Sequence, residues 1–547
     1  MGIDVTSLYN RRADNRWDRC VVGDIFERVA AVRPDAEAIV GAFGAFADPA
    51  NERLSYAEAD ALANRFAQAL LARGVARGDR ILMVCENSTE AFLAKIGMAK
   101  AGCVAVPVNP SQTTEVLIHA AELAEPVLVV ADAECLELPR SAGIVVDVTI
   151  PIGGTQIEGI TFAEFCASGS PEAPELTIHA DDIWQILFTS GTTAMPKGVM
   201  VSHQYSYLVS LSWALSYTRG LDHESKLRMA CFAPIIFHIG DQVYTMPALF
   251  TGGTMILGRR FKIAPLADTV ADERATAVIG GGLELAKTLL TELEALGPEA
   301  ASSLTCVMWG LGLADPETIE RWERLCPGIS LLYIAGQTES CTGHRFVVNT
   351  ARDTYADAAA RRVNLIGHPA PLMVSRVVDV EDGATSLPPG EIGELVYRSP
   401  IMASGYYRDE AATEKAFDGG WFHSGDLGST EPGGERLMAG RIKEMIKTGG
   451  ENVASARVES VVGQHPDVER VAVIGLPDER WGEAVTAVVV AAPGRVVEPE
   501  ALIAFARERL AGYETPKRVA VVDELPVDFV GKVRKVELRR MMLERPW

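Results

Sequence analysis

The sequence predicts an α/β protein with a large N-terminal domain of layered α/β subdomains, a β-rich subdomain and a small α+β C-terminal domain. The chain has 547 residues, which is more than one hydrophobic core usually supports. From about residue 21 to residue 313, helical patterns alternate with short β-rich runs, as is typical of largely parallel sheets. After residue 440 the pattern changes to a compact α+β unit. These observations predict at least two domains.

Individual segments support this division. The spacing of apolar residues over 56–72 predicts a helix, and residues 132–180 are polar and turn-rich, which predicts a connecting region. The stretch 386–393 is rich in Pro and Gly and predicts a turn before a strand at 394–397, as in a hairpin of the β-rich subdomain. Short strands are predicted at 80–84, 104–108 and 127–130.

The C-terminal unit has its own helix and strand signals. Val458, Val461 and Val462 fit one helix face, and a second helix is predicted behind Pro499 at its start. Strands are predicted at 468–474 and 485–490. This order predicts a small α+β domain.

Composition restricts the partners of the chain. It has 51 Lys and Arg against 73 Asp and Glu, giving a net charge of −22, which disfavours nucleic acid and anionic membranes as general partners. Its nine cysteines form no CxxC pair and lie mostly in apolar surroundings, which favours reduced thiols over disulfides or zinc. No apolar run reaches the length of a membrane span and the start has no signal-peptide core, so we expect a cytoplasmic protein.

The most informative segment is the loop at 189–198, TSGTTAMPKG, which follows an apolar run that predicts a buried strand. Glycine lets the backbone approach a ligand closely, hydroxyls donate to phosphate oxygens, and Lys197 supplies positive charge for a leaving pyrophosphate. A Walker A loop is excluded because Lys197 precedes Gly198 instead of following a glycine. A Ser/Thr/Gly surface turn would explain the small residues but not the Pro-Lys-Gly that follows. The segment therefore favours a loop that wraps a polyphosphate.

This loop resembles the signature loop of the acyl-adenylate-forming superfamily, which contains acyl-CoA synthetases, aryl-CoA ligases, adenylation domains and luciferases. Further matches follow in the family's order along most of the chain: AGQTES at 335–340, GWFHSGDLG at 420–428, GRIKEMIKTGGENV at 440–453 and GKVRKVELR at 531–539. Because order and spacing are both kept, the chain is identified as a member of this superfamily, most like an acyl-CoA synthetase.

The resemblance implies an N-terminal adenylate-forming domain at 1–440 and a mobile C-terminal domain at 441–547, with a hinge near Lys443. Without the resemblance, Lys443 would be interpreted as a solvated charge at a helix end. The implied substrates are ATP, a small-molecule carboxylic acid and CoA, with Mg²⁺ as the metal. A carboxylate is a poor acyl donor, so the acid is first joined to AMP with loss of pyrophosphate, which requires mainly positioning and electrostatic stabilisation.

The resemblance also implies roles for single residues. Lys532 matches the lysine that bridges the carboxylate and the α-phosphate, although its local sequence alone favours an exposed cation. Thr338 would donate to the α-phosphate, and Thr189 and Glu339 match the Mg²⁺ ligands, since a hard cation takes hydroxyl and carboxylate oxygens. The implied catalytic residues are Lys197, His238, Thr338, Glu339 and Lys532.

Asp426 and Arg441 match residues that hold the ribose, because a carboxylate accepts from two neighbouring hydroxyls and Arg donates back. Taken singly, they would be a turn Asp and a surface charge. The segments around Gly449, Gly450 and Trp481 resemble those that line the pantetheine tunnel of CoA ligases; the alternative is a tight turn beside a core Trp. The implied binding set is Thr189, Ser190, Gly191, Thr192, Thr193, Lys197, Gly336, Gln337, Thr338, Asp426, Arg441, Lys443, Gly449, Gly450 and Trp481.

His238 falls where CoA ligases carry an aromatic or His residue near the acyl site. Amino-acid-activating relatives carry Asp there, so an α-amino acid is disfavoured, while a structural histidine is an equal alternative on local grounds. The glycines at 280–282 would lie at the wall of the acyl pocket and suggest room for a bulky acid. The same triplet is also typical of a strand-to-helix turn.

Three positions depart from the family pattern. The family has Gly at the position of Ala194, and we interpret the added methyl group as a tuning change of the loop. On the adenine side, the family usually has an aromatic residue, which stacks on adenine, at the position of Ala335, and a Gly-Gly-Ala-Pro-like loop where this chain has WGLG at 309–312. We hypothesise weaker ATP binding than in typical members, with Tyr333 or Trp309 as substitutes; a low-micromolar ATP dissociation constant would count against this idea.

Two rivals to an acid:CoA ligase stay open. One makes the same adenylate and passes it to a carrier-protein thiol or another nucleophile. The other is a catalytically silent member that binds nucleotide or acyl ligand. The presence together of Lys197, Glu339, Asp426, Arg441 and Lys532 argues against the silent member, whereas Ala335 favours it. The sequence does not identify the acid, and it leaves open a homodimer.

Overall fold

A computed structural model describes residues 16–189, 195–310, 312–341, 343–361, 364–527 and 533–545. Its strands form sheets of 13, seven and five strands, and helices cover them. The predicted α/β class, with a large N-terminal domain and a small C-terminal domain, is confirmed.

The seven-stranded sheet is parallel except for its last pair. Its strand Ile183–Thr189 is buried over most of its length, as the apolar run predicted, and pairs in antiparallel fashion with Lys197–Ser202. In spatial order the strands are Ile160–Thr161, Val148–Ile150, Leu128–Asp132, Arg80–Val84, Val104–Pro107, Ile183–Thr189 and Lys197–Ser202.

The 13-stranded sheet has a parallel half and an antiparallel half. The parallel half runs from Glu37–Ala42 to Ser330–Ala335, and the antiparallel half forms the β-rich part that Pro and Gly at 386–393 predicted. In spatial order the strands are Val374–Val378, Gly393–Arg398, Phe422–Thr430, Arg436–Arg441, Asn364–Pro369, His344–Val347, Ser330–Ala335, Cys306–Gly310, Ala277–Gly282, Arg228–Cys231, Thr254–Gly258, Glu37–Ala42 and Arg53–Ser55.

The five-stranded sheet lies in the C-terminal part and packs its own apolar clusters, which include Val458, Leu502 and Leu538. Its long strands Val468–Asp478 and Gly482–Ala491 pair in antiparallel register and contain both predicted strand segments. In spatial order the main path is Glu451–Ala454, Met445–Thr448, Gly482–Ala491 and Val468–Asp478, and Arg518–Val521 also pairs with Gly482–Ala491.

The helices follow the sequence signals. Helix Tyr56–Ala72 has the predicted bounds and begins with a capping box, in which Ser55 and Glu58 bond each other's backbone N–H. The α-helices are Val22–Val32, Tyr56–Ala72, Thr89–Lys100, Thr114–Ala124, Glu137–Ser141, Phe162–Ala167, His203–Tyr217, Met246–Phe250, Ile263–Asp272, Leu283–Leu296, Pro316–Leu325, Arg352–Arg361, Glu410–Ala416, Ser455–Val462, Pro499–Arg507 and Lys535–Leu543, and a π-helix spans Ile239–Thr245.

Helix Thr89–Lys100 is buried along its whole length. A helix buried on every side is usually apolar all round, yet this one contains Glu90, Lys95 and Lys100. Each of the three is paired: Glu90 accepts from two backbone N–H groups and Asn51, Lys95 binds Asp241, and Lys100 binds Glu27 and Asp60. Pairing offsets part of the cost of burying these charges.

The prediction of a connecting region at 132–180 is wrong in part. This stretch supplies strands Val148–Ile150 and Ile160–Thr161, which extend the seven-stranded sheet, and helices Glu137–Ser141 and Phe162–Ala167. These elements have only two to six residues each, which is too short for a reliable periodic signal. Tertiary pairing with Leu128–Asp132 defines the first of these strands.

Among the described residues, no helix combines the length and the apolar character that crossing a membrane would need. None of the nine cysteines, all of which lie in the described part of the chain, forms a disulfide, and all but Cys20 are buried.

Candidate active site

The motif residues gather where two sheets end. Strand Ile183–Thr189 of the seven-stranded sheet and strand Ser330–Ala335 of the 13-stranded sheet both lead at their carboxyl ends into signature segments. Open α/β sheets bind ligands at the carboxyl ends of their strands. Gly336 is exposed and Gln337 and Thr338 are half-buried, so the segment after Ser330–Ala335 is accessible to a ligand.

Tyr406 links Lys197 to Glu339. The Tyr406 hydroxyl donates to Glu339 Oε1 at 2.9 Å, and Lys197 Nζ lies 4.8 Å from the centroid of the Tyr406 ring. Lys197 also forms a 3.5 Å ion pair with Asp409, in which both side chains are exposed. A cation from one motif and a carboxylate from another therefore share one tyrosine.

The proposed metal ligands have suitable chemistry. Thr189 ends its strand opposite Lys197 in the antiparallel register, and Glu339 is buried and held by Tyr406. A hydroxyl and a carboxylate are hard oxygen donors of the kind that Mg²⁺ prefers. The residues present fit the metal that the family implies.

His238 contacts Thr338. The distance between His238 Nδ1 and Thr338 Oγ1 is 3.1 Å, and the Tyr205 hydroxyl donates to the Thr338 carbonyl at 2.8 Å. Burial lowers the pKa of His238 to about 4, so the imidazole is neutral at neutral pH and has one N–H and one acceptor nitrogen. His238 is thus adjacent to the residue expected to bind the α-phosphate.

Asp426 and Arg441 are brought together by the antiparallel half of the large sheet. They face each other in the register of Phe422–Thr430 and Arg436–Arg441, and Arg441 Nε lies 2.9 Å from Asp426 Oδ1. The Asp426 side chain is 4% exposed and that of Arg441 is 29% exposed. Gln337 reaches toward this pair, since its Nε2 donates to the Ser424 carbonyl at 3.4 Å. Three motifs of the sequence therefore meet here.

Lys443 lies just beyond this pair, in the 3₁₀ turn Ile442–Glu444, and is exposed. The remaining predicted residues of the phosphate loop, Ser190, Gly191, Thr192 and Thr193, lie outside the described residues. So do Ala194 and the predicted catalytic lysine, Lys532.

Gly449 and Gly450 form the two-residue turn between strands Met445–Thr448 and Glu451–Ala454. Their φ values are +61° and +88°, which L-residues with side chains rarely adopt. A Cβ on Gly449 would lie 3.0 Å from the Trp481 ring, and Gly449 N–H donates to the Trp481 carbonyl at 2.8 Å. A Cβ on Gly450 would meet nothing within 4 Å. The tight turn and the contact with Trp481 are both present.

Two cations lie over Trp481. Arg480 Cζ is 4.7 Å and Lys517 Nζ is 5.3 Å from the ring centroid. Burial lowers the pKa of Lys517. In a chain of net charge −22, this is a local concentration of positive charge beside a flat aromatic surface.

The glycines at 280–282 are the last three residues of a strand and lie at a strand-to-helix junction, close to the alternative interpretation. Strand Ala277–Gly282 leads directly into helix Leu283–Leu296. A Cβ on Gly280 would lie 2.6 Å from Ala286 Cβ, and one on Gly281 would lie 2.9 Å from the Leu285 side chain. The positions that side chains at 280 and 281 would occupy are therefore taken by the following helix, and they give no measure of the size of the acid.

The rings proposed as substitutes for the missing adenine-stacking residue are part of the core. Tyr333 is 2% and Trp309 is 1% exposed, and the Tyr333 hydroxyl donates to Asn364 at 3.0 Å. Neither ring presents an open face in this structure, so the idea that one of them stacks on adenine gains no support.

Sequence reasoning missed Tyr205 and Tyr406. Tyr205 lies on a helix and Tyr406 in a loop, each far along the chain from the motif residue that it contacts. Only tertiary structure brings them to Thr338 and Glu339. The pair of tyrosines at 406 and 407 after Gly405 is the one local signal, and by itself it is compatible with any loop.

Known proteins show the same organisation. A family profile described as AMP-binding enzyme matches residues 26–407, and one described as AMP-binding enzyme C-terminal domain matches residues 457–532. The long-chain-fatty-acid–CoA ligase FadD13 of Mycobacterium tuberculosis is 32% identical over 95% of this chain and 98% of its own. A feruloyl-CoA synthase of an Amycolatopsis species is 31% identical over 89% of this chain and 94% of its own.

Among solved structures, ATP-bound MatB from Rhodopseudomonas palustris superposes with a TM-score of 0.81 at 30% identity, covering 95% of this chain and 99% of that chain. The match includes both sequence and fold over nearly the whole length. With its motif residues assembled at the sheet ends, the chain belongs to the AMP-binding enzyme family, which is the acyl-adenylate-forming superfamily.

Proposed function

We propose that this chain is an AMP-forming carboxylic acid:CoA ligase. It uses ATP and Mg²⁺ to convert a carboxylic acid into an acyl-adenylate and pyrophosphate, and then passes the acyl group to the thiol of CoA with release of AMP. The observation that carries the proposal is the assembly of Lys197, Tyr406 and Glu339 beside His238 and Thr338.

This assembly suits the first half-reaction. Lys197 would neutralise the leaving pyrophosphate, and Thr189 and Glu339 would hold Mg²⁺, which would supply further positive charge to the phosphates. Thr338 would donate to the α-phosphate, and Asp426 with Arg441 would hold the ribose hydroxyls. Lys532 completes the set by its match to the family motif, since an added cation between two anions lowers their repulsion.

The second half-reaction requires an acceptor, and the Trp481 region favours CoA. Gly450 leaves open space beside Gly449 and Trp481, which suits a thin pantetheine arm, and Arg480 and Lys517 suit the phosphates of CoA. We propose that the C-terminal domain begins at residue 441 and rotates about Lys443, so that Lys532 serves the first step and Gly450 the second.

The acid is an aliphatic or aromatic carboxylic acid and not an α-amino acid, because His238 stands where an Asp would bind the ammonium group. FadD13 and the feruloyl-CoA synthase are named for acids of very different shape. Their names therefore do not choose between the two classes. With reduced, buried cysteines, we place the reaction in the cytoplasm.

Product analysis by mass spectrometry tests the proposal. The protein is incubated with ATP, Mg²⁺, CoA and a panel of aliphatic, aromatic and polycyclic acids. We expect a CoA thioester and AMP in equal amounts from one acid class. Acyl-AMP without thioester would favour transfer to a carrier protein or another nucleophile. No AMP from any acid of the panel would contradict the ligase and favour a silent binder.

A further inference from the structure

The loop that carries His238 is held by side chains from the segment that follows strand Arg80–Val84 of the seven-stranded sheet. Ile235, three residues before His238, has both of its backbone groups bonded in this way: its N–H donates to Asn87 Oδ1 at 2.9 Å, and its carbonyl accepts from Lys95 Nζ at 2.9 Å. Asn87 follows strand Arg80–Val84, and Lys95 lies in the buried helix Thr89–Lys100. The loop is thus held by side chains of other elements and not by strand pairing.

The Asn87 side chain makes three hydrogen bonds. Besides accepting from Ile235, its Nδ2 donates to the carbonyls of Ala233 at 3.0 Å and Gly258 at 2.9 Å. The Asn87 side chain is buried, and Arg259 donates to the Asn87 carbonyl at 2.8 Å. One amide therefore fixes the start of the loop against the end of strand Thr254–Gly258.

Lys95 fixes the other end. Its Nζ lies 2.8 Å from Asp241 Oδ2, with side chains 1% and 0% exposed, and Asp241 belongs to the π-helix that begins directly after His238. Gln185 Nε2 also donates to Asp241 Oδ2 at 3.0 Å. Burial lowers the pKa of Lys95, and the Asp241 carboxylate acts against this by raising it. Gln185 lies in the strand that ends at Thr189. The Asp241 carboxylate therefore connects the π-helix after His238 to the strand that leads into the predicted phosphate loop.

We propose that Asn87 and Lys95 are positioning residues for the reaction: they fix the loop at 233–241 so that the His238 ring keeps its contact with Thr338. This inference rests on the proposed function for its kinetic consequence. A buried ion pair is a costly way to stabilise a core, since apolar residues would pack there without desolvating charges. Directional bonds to a backbone N–H and a carbonyl, in contrast, fix the position of an irregular loop in a way that apolar contacts do not.

The test is the double variant Lys95→Met with Asp241→Asn, which removes both charges and leaves no unpaired ion. We expect kcat of ATP–pyrophosphate exchange to fall about 10- to 100-fold, because small displacements of reacting groups have effects of that size. The KM for ATP should change less than about twofold. The matched control is Arg19→Met with Asp24→Asn, another buried ion pair whose arginine bonds the backbone at 176 and 178. Its kcat should stay within about twofold of the wild type.

An unchanged kcat in the folded Lys95 double variant would overturn the proposal, as would an equal loss in the Arg19 control. If the double variant does not fold, Asn87→Ala tests the same loop from its other end. A measurement on the wild-type protein needs no variant to fold and no turnover. In ¹⁵N-histidine spectra, with His238→Phe used for assignment, His238 should show one neutral tautomer that does not titrate above pH 5.

A His238 signal that averages between tautomers, or that titrates near pH 6.5, would contradict a fixed ring. Since this measurement requires no substrate, it separates the two proposals. If the His238 ring is fixed but no acid yields AMP, the result counts against the proposed ligase activity. It does not count against the proposal that Asn87 and Lys95 hold the His238 loop.

Discussion

The glycines at 280–281 lie near the end of a strand and those at 449–450 directly follow one, and side chains at the two places would meet different surroundings. A Cβ on Gly280 would lie 2.6 Å from Ala286 Cβ, whereas a Cβ on Gly450 would meet nothing within 4 Å. The first pair lets a helix pack on a strand, and the second forms an open hairpin turn beside Trp481. A run of glycines in a sequence therefore does not show by itself whether it opens a channel or closes a core.

The regions proposed to serve the two halves of the reaction also differ in how closely their residues are packed. On the nucleotide side, Tyr406, Glu339, Thr338 and His238 already contact each other or shared neighbours. On the Trp481 side, Gly450 faces open space. Preformed contacts suit a step that depends on positioning, and an open turn suits the passage of a thin substrate.

Lys532→Ala should have the largest effect. By its match to the family lysine, we propose that Lys532 would stabilise developing charge in the first step, and removing one such group typically costs about 10²- to 10³-fold in rate. Thioester formation from supplied acyl-AMP should be spared. ATP–pyrophosphate exchange and thioester release, measured separately, check this. Equal loss of both steps would contradict a role limited to adenylation.

Gly450→Leu should do the reverse. A leucine side chain would fill the open space beside Trp481 and lower thioester formation about 10- to 100-fold, while pyrophosphate exchange stays near the wild-type rate. Gly494→Leu is the matched control, since Gly494 also has a positive φ of +72° and open surroundings. Gly494→Leu therefore measures the effect of backbone strain alone. If the two variants lose thioester formation equally, the Gly450 turn does not line the path of the acceptor.

Low pH should lower the free energy of unfolding. Burial lowers the pKa of His203 and His344 to about 3 and that of His238 to about 4, from an ordinary 6.5. The unfolded chain binds these protons first as pH falls below 6.5, so stability falls, by roughly 1.4 kcal/mol per pH unit for each histidine. Asp132 acts in the opposite direction, because burial raises its pKa to about 6 from 3.8.

The net effect of these four groups near pH 5 is about two extra protons on the unfolded chain, or roughly 2.7 kcal/mol per pH unit. Thermal unfolding at pH 7 and pH 5 measures it, and we expect a lower Tm at pH 5. Equal Tm values would mean that these histidines are accessible to protons in the folded state.

Gly280→Ala should lower stability and leave the chemistry alone. The added methyl group would press on the Ala286 backbone and side chain, and overpacking of this kind typically costs about 1–3 kcal/mol. Gly512→Ala is the control, because a Cβ there would meet nothing within 4 Å. Chemical denaturation compares the two. If Gly280→Ala leaves the free energy of unfolding unchanged, the backbone at 280 has room for a side chain. The hypothesis of a roomy acyl pocket beside these glycines would then regain support.

Tyr406→Phe should have the smallest effect. It removes the hydroxyl that orients Glu339 and keeps the ring under Lys197, so Mg²⁺ should bind about tenfold more weakly. The Mg²⁺ dependence of pyrophosphate exchange measures this, with the neighbouring Tyr407→Phe as control. An unchanged Mg²⁺ dependence would show that the Tyr406 hydroxyl does not contribute to Mg²⁺ binding.

Local pattern predicted the regular parts of the fold well. Helix Tyr56–Ala72 has the predicted bounds because its apolar spacing is long, and strand Arg80–Val84 has them because its apolar run is uninterrupted. The strands at 148–150 and 160–161 were missed because their pairing, and not their composition, defines them. Periodicity alone is a weak guide to elements of this length.

The candidate site was predictable to the extent that it lies in motifs. Thr338, Glu339, Asp426 and Arg441 were named from their strings, and the structure brings the last two into contact. Asn87, Lys95, Tyr205 and Tyr406 act across the fold, where no local spacing reveals them. Lys95 looks in sequence like any helix cation, and only its burial and its bond to Ile235 distinguish it.

The most direct test of the account is the ratio of AMP to thioester with and without CoA. With the acid, ATP and Mg²⁺ but no CoA, we expect pyrophosphate exchange and no more than about one acyl-AMP for each enzyme molecule. Addition of CoA should then release AMP and thioester in equal amounts over many turnovers. AMP release that CoA does not change, or no exchange with any acid, would contradict a ligase that carries out both steps.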